Sequence, residues 1–146
     1  MTIRRPSGLL EEDLTGSVIG AFYTVHRDLG FGFLEHVYQA ALEIELRERG
    51  HEVARQFGVA VRYRGVEIAH QRLDMVVDHR VVVEIKSTER LHPDAERQLL
   101  GYLRATTLQV GLLLHFGRSG KFRRVIHTRP DRASMTKGTA GTDLAD

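Results

Sequence analysis

The sequence predicts an α/β (α+β) domain whose elements run helix, helix, three strands, helix, two strands. Three observations predict it. Apolar residues recur every three to four positions between Leu14 and Arg49, the period of helices with one buried face. From Val53 the period changes to two, the alternation of strands. Behind Pro93 a helical stretch returns, and two further strand-like runs follow around Gly117 to Gly120.

Each element has its own signal. Val18, Ile19, Phe22, Val25 and Leu29 give the first helix, Leu14 to Leu29, an apolar face that ends at Gly30. The second is expected over Phe33 to Arg49, with Leu34, Val37, Tyr38, Ala41 and Leu42 on one stripe and Gly50 as its stop. Phe57, Val59, Val61 and Tyr63 alternate along the first strand, and Arg64-Gly65 supplies a turn. Two more strands, Val66 to Val77 and Val81 to Ser87, flank the polar loop Asp78-His79-Arg80. Pro93 opens the third helix, where its missing N–H costs nothing, and Ala95, Leu99, Leu100 and Leu103 give that helix an apolar side. Val110 to Phe116 and Phe122 to His127 complete the set.

With 146 residues and no cysteine, one domain can bury a core unaided, and thiolate metal sites and cysteine nucleophiles are excluded. The expected boundaries are one domain over 1–128 and a disordered C-terminal tail over 129–146, where large apolar residues almost vanish. Met1 to Gly8 carries Arg4 and Arg5 without an apolar run behind them, and no segment reaches the roughly 18–20 apolar residues of a membrane span. A cytoplasmic protein with no membrane partner is the expectation. Net charge is only +2, yet Arg118, Lys121, Arg123, Arg124, His127 and Arg129 lie close together without an acidic residue among them. Such a cluster attracts phosphates, although it also fits a solvated hairpin. The eight histidines show no i, i+4 ligand pair.

The chemistry concentrates in the middle hairpin. In Val81-Val82-Val83-Glu84-Ile85-Lys86, alternation sends Glu84 and Lys86 to one side and Val81, Val83 and Ile85 to the other. If residues 78–80 form a three-residue loop, Val77 faces Val81 and Asp74 falls opposite Glu84; a two-residue loop puts Asp74 on the diagonal. Facing carboxylates repel unless a cation or a shared proton relieves them. Magnesium suits them, because it takes one or two protein carboxylates and keeps waters open to a substrate phosphate. Lys86 is then placed to orient or deprotonate an attacking water, or to stabilise charge on the phosphate. By spacing alone, an exposed sheet face with an ordinary ion pair fits Asp-x(9)-Glu-x-Lys equally well.

Several segments in order go further. Gly32-Phe33-Leu34-Glu35-His36-Val37-Tyr38 forms a Gly-x-x-Glu-x-x-Tyr signature, followed by Ala41 to Leu46, Gln56, Tyr63-Arg64-Gly65, Leu73-Asp74, Val83 to Lys86 and Gln98 to Leu103. The chain resembles the GxxExxY family of the PD-(D/E)XK nuclease superfamily over roughly Leu14 to Ile126. The resemblance implies a mixed central sheet of four to five strands flanked by helices, and a Mg²⁺-dependent deoxyribonuclease that hydrolyses phosphodiester bonds with a metal-activated water. Mn²⁺ is the expected substitute. By the same resemblance Asp74, Glu84 and Lys86 are the motif's acids and lysine, Glu35 matches the helix acid before the sheet, and Gln98 and Tyr102 match the helix after the lysine. The metal set is Asp74, Glu84, Glu35 and Ile85, the residue between the two charged ones. Leu73 stands where the superfamily's name has proline.

Further substrate contacts are expected from Tyr38, Tyr102, Arg123 and Arg124, and from His70, four residues before Asp74 on the same strand. Nucleic acid, DNA ahead of RNA, is the expected partner. A homo-oligomer is compatible with the resemblance, since exonucleases of that superfamily often close into rings. The alternative is a nucleic-acid-binding or accessory module with the fold and little turnover.

Overall fold

A computed structural model describes residues 10–128; the tail expected over 129–146 lies outside the described residues. Helix α1 (Glu12–Leu29) forms where Leu14, Val18, Ala21, Phe22 and Val25 bury one face, with acids in its first turn and His26 and Arg27 in its last. It stops at Gly30, which adopts φ 72° and donates its N–H to His26 O at 2.8 Å.

Helix α2 (Glu35–Glu48) starts two residues later than the apolar stripe suggests. The reason is local: Gly32 sits at φ 117°, and the N–H of Phe33 goes to the Tyr38 hydroxyl at 3.3 Å instead of into a helix. Residues 31–34 are therefore a loop.

The sheet follows the chain, β1 (Val53–Tyr63), β2 (Val66–Val77), β3 (Val81–Lys86), β4 (Val110–Phe116) and β5 (Gly120–Ile126), with neighbours in that order. All pairs are antiparallel except β3 and β4, which run parallel because helix α3 (Asp94–Arg104) carries the chain back between them. The result is the expected mixed sheet in the expected order. Strand β3 lies inside the sheet and is buried from Val81 to Ile85, which explains its nearly unbroken apolar run.

Two clusters hold the layers together. Val18, Phe22, Tyr38 and Leu42 of α1 and α2 pack on Met75, Val77, Val83, Ile85, Leu112 and Phe116. Leu99, Tyr102 and Leu103 of α3 pack on Val76, Val82 and Leu113 across the other face. Burial of this kind contributes roughly 1.5–3 kcal/mol for each large apolar side chain and is the main stabilising term.

The β2–β3 turn is fixed from outside. Asp78 and His79 both take positive φ, 51° and 57°. Asp78 accepts the Glu52 N–H at 2.7 Å and pairs with His51 Nδ1 at 2.7 Å, while His51 Nε2 lies 2.7 Å from Ser17 Oγ on α1. Helix α1 and the α2–β1 connection thus clasp the turn that sets the register of the two strands. Among the described residues, no helix is long and apolar enough to cross a membrane.

Candidate active site

The turn brings Val77 opposite Val81, as the three-residue loop requires, and the β2–β3 ladder runs from there to Met75 and Val83. One step further Asp74 meets Glu84. Here side chains take over from the ladder: the Asp74 N–H donates to Glu84 Oε1 at 3.0 Å, and the Ile85 N–H donates to Asp74 Oδ2 at 2.8 Å. On the other side of Asp74, pairing with β1 skips Gln56, which sits at φ 52° between the Arg55–Met75 and Phe57–Leu73 pairs. Asp74 therefore lies in a seam that is irregular on both flanks, a common setting for a functional side chain.

Burial dominates the electrostatics. Glu84 is only 5% exposed, and burial, then the Asp74 charge, with a smaller push from Glu35, raises its carboxyl to about 8; Lys86 and the Asp74 N–H oppose this without cancelling it. Burial also raises the Asp74 carboxyl, against the opposing pull of the Ile85 N–H, Lys86 and Arg55. The hydroxyl of Tyr102 is raised by its own burial and by the charges of Glu84 and Asp74, which puts the α3 tyrosine within the field of the pair. Two such carboxyls do not both ionise near neutrality unless a cation joins them.

The helix acid is aimed by the Gly-x-x-Glu-x-x-Tyr segment. Tyr38 is fully buried, stacks on Phe116 at 4.2 Å, donates its hydroxyl to Gly30 O at 2.5 Å and accepts the Phe33 N–H. That clamp fixes the loop and starts α2 at Glu35, which lines a cleft of about 800 Å³ with Lys86, Thr88, Arg90, Ala95 and Gln98. Asp74, Glu84, Ile85, Lys86, Glu35, Gln98 and Tyr102 thus belong to one neighbourhood.

Three expected substrate contacts do not join it. Tyr38 is a buried pin with its hydroxyl committed to the loop, so it is corrected to a structural role. His70 pairs with Ala60 on the outer part of the β1–β2 hairpin, lies against Gly58 and does not line the cleft. Arg123 and Arg124, taken together in the sequence as a grip, are split by the alternation of β5: Arg123 pairs with Glu96 of α3 at 3.2 Å, whereas Arg124 bonds Thr15 Oγ1 of α1 at 2.6 Å and the carbonyl of Leu10. Only Arg123 lies on the α3 side.

Other residues were not singled out. Arg55 acts on Asp74 through its charge while bonding Glu43 at 3.1 Å and Gln39 at 3.3 Å, and Gln56 shares that same Gln39 oxygen at 3.3 Å. The signal was present as two successive polar residues, Arg55-Gln56, in an otherwise alternating strand.

The donor set suits a hard divalent cation in kind, since the buried pair offers carboxylate oxygens whose repulsion such an ion relieves. Among the described residues, no three His, Asp or Glu side chains stand together as a ready-made cage. The Asp74–Glu84 pair is the buried acid pair of this region, and Glu35 reaches Glu84 through its charge.

A mixed five-stranded sheet between helical layers, in this element order, defines a nuclease-type fold. The chain belongs to the PD-(D/E)XK nuclease superfamily, whose family model matches residues 12–126. Members are typically divalent-metal-dependent nucleases acting on nucleic acids. The fold is also similar to a solved structure titled "Crystal structure of SSO0001", with a TM-score of 0.52 and 17% identity over 87% of this chain. That likeness bears on the fold alone, and this chain spans 64% of the other's length. No curated protein matches the sequence.

Proposed function

We propose that the protein is a Mg²⁺-dependent deoxyribonuclease, with Mn²⁺ as a working substitute, of the GxxExxY kind within its superfamily. The observation that carries this reading is the buried Asp74–Glu84 pair, joined through the Asp74 N–H and followed two residues later by Lys86 at the cleft. Asp74 and Glu84 would hold the ion, with Glu35 and the Ile85 backbone oxygen in support. When bound, the ion supplies Lewis-acid stabilisation of phosphate charge and lowers the pKa of a coordinated water.

The chain's own residues do the rest. Lys86 orients the attacking water, takes its proton or neutralises charge on the phosphate as the bond to the leaving oxygen breaks. Gln98 donates to the substrate backbone from α3, and Tyr102 steadies the acid pair from the same helix face. Cytoplasmic action on DNA, and assembly of several copies, complete the reading. A binding or accessory module is the second reading, and the lack of a three-ligand cluster among the described residues favours it.

Degradation of end-labelled single- and double-stranded DNA with Mg²⁺, with EDTA and with Lys86→Ala tests the choice. The expected result is cutting that EDTA abolishes and that Lys86→Ala slows by about 10²–10⁴-fold. Undiminished cutting by Lys86→Ala removes the mechanism, and no cutting by wild type on either substrate selects the binding module.

A further inference from the structure

Beside the cleft the surface combines two features that a catalytic site does not need. The first is an apolar loop. Phe31 is 38% exposed, Phe33 45% and Leu34 70%, all within four residues that end at Glu35. Exposed side chains of this size on a floppy loop would collapse inward, but this loop is clamped by the Tyr38 hydroxyl at Gly30 O and the Phe33 N–H, with Phe33 set edge-on to Tyr38 at 6.0 Å.

The second is a basic wall. A cavity of about 420 Å³ is lined by Arg90, Arg118, Lys121 and Arg123 against a single acid, Glu89, and shares Arg90 and Leu91 with the larger cleft. The Arg118 guanidinium lies 5.3 Å from the centre of the Phe31 ring, so wall and loop meet. Two of the cations are lightly held, Arg118 by Glu89 at 3.3 Å and Arg123 by Glu96 at 3.2 Å, both in exposed pairs that an incoming phosphate can replace.

Rigid exposed rings beside a line of cations match one ligand chemistry: a polyanion that also presents free aromatic faces. A duplex presents the charge but hides its base faces in the stack, whereas a single strand presents both. We infer that the Phe31–Leu34 loop and the Arg90, Arg118, Lys121, Arg123 wall form a track for single-stranded DNA, or the unpaired end of a duplex, leading to Glu35 and Lys86. This rests on the nuclease reading for its choice of DNA and names the substrate form of that same site. Bases stack on Phe33 and Phe31, and the backbone follows the wall.

The test is fluorescence anisotropy of the full chain with labelled oligo-dT and with a blunt duplex, in EDTA so that nothing is cut. Wild type is expected to bind the single strand at least about tenfold more tightly than the duplex. Phe33→Ala should weaken single-strand binding by about 5-fold to 100-fold and leave duplex binding nearly unchanged. Lys121→Ala, at an exposed position that cannot unfold the chain, should lower the salt slope of binding by about one counterion. Equal affinity for both forms, or an unchanged salt slope in Lys121→Ala, overturns the track. The nuclease reading fails separately: single-strand binding with these determinants and no cutting in Mg²⁺ leaves the track standing without an enzyme.

Discussion

Glu84 is held as an acid in a place where water cannot solvate its charge, and this makes the metal-free fold sensitive to pH. Its carboxyl is pushed up to about 8 in the folded chain, from an ordinary value of 4.5. A folded pKa above the unfolded one means that the native state holds the proton more tightly. The stabilisation is complete below the unfolded value and is lost as pH rises toward the folded value. Metal-free protein should therefore lose on the order of a few kcal/mol between pH 5 and 8, with Asp74, shifted in the same direction, adding to the slope. Thermal melts across that range check it. Glu84→Gln should flatten the profile, and Mg²⁺ or Mn²⁺ should raise the melting temperature more at pH 8 than at pH 5. Much of this residue-scale picture was legible, because strict alternation through Val81 to Lys86 and a three-residue loop place Asp74 opposite Glu84. The irregularity at Gln56 was not, since two successive polar residues break the alternation without saying that the glutamine takes a left-handed backbone.

At the scale of elements, the Gly-x-x-Glu-x-x-Tyr segment is a device for aiming a helix start. Tyr38 closes the loop from below, and two backbone groups depend on its hydroxyl. Tyr38→Phe should lower stability by about 1–3 kcal/mol in denaturant titration, because Gly30 O and the Phe33 N–H lose a partner while the ring still packs. An unchanged midpoint would show that the hydroxyl does not hold the loop. The sequence misled here for a definite reason: Phe33 and Leu34 continue the apolar stripe of α2, so periodicity extends the helix through residues that in fact face outward. Strand β5 teaches the reverse. A count of nearby charges groups Arg123 with Arg124, but their adjacency on a strand already sends them to opposite faces. Arg124→Ala should cost roughly 1 kcal/mol of stability through its lost bonds to Thr15 and Leu10 and leave nucleic-acid affinity alone, whereas Arg123→Ala should weaken affinity at unchanged stability. The opposite pairing of effects would place the nucleic acid on the α1 side.

Across the whole molecule, the parallel step from β3 to β4 is what assembles the site. It sets Lys86 beside His115 in the ladder, and His115 Nε2 holds Thr88 O at 2.6 Å. The loop after β3, the start of α3 and the β4–β5 hairpin consequently converge on the end of the sheet where α2 begins. The order of elements and the acid–lysine pair could be read from the chain, since both follow from local period. The cleft walls could be read only in part: Arg118 and Lys121 are near neighbours in the chain, but Arg90 joins them only once the crossover is made. The central claim is that Asp74 and Glu84 form a cation site kept protonated until it is filled. It is tested most directly by calorimetric titration of Mn²⁺ at pH 7, in buffers of different ionisation heat so that proton release is measured with binding. Wild type should show saturable heat and release of about one proton, and Glu84→Gln should lose the proton release. Absence of binding heat in wild type, with and without nucleic acid, would contradict the account.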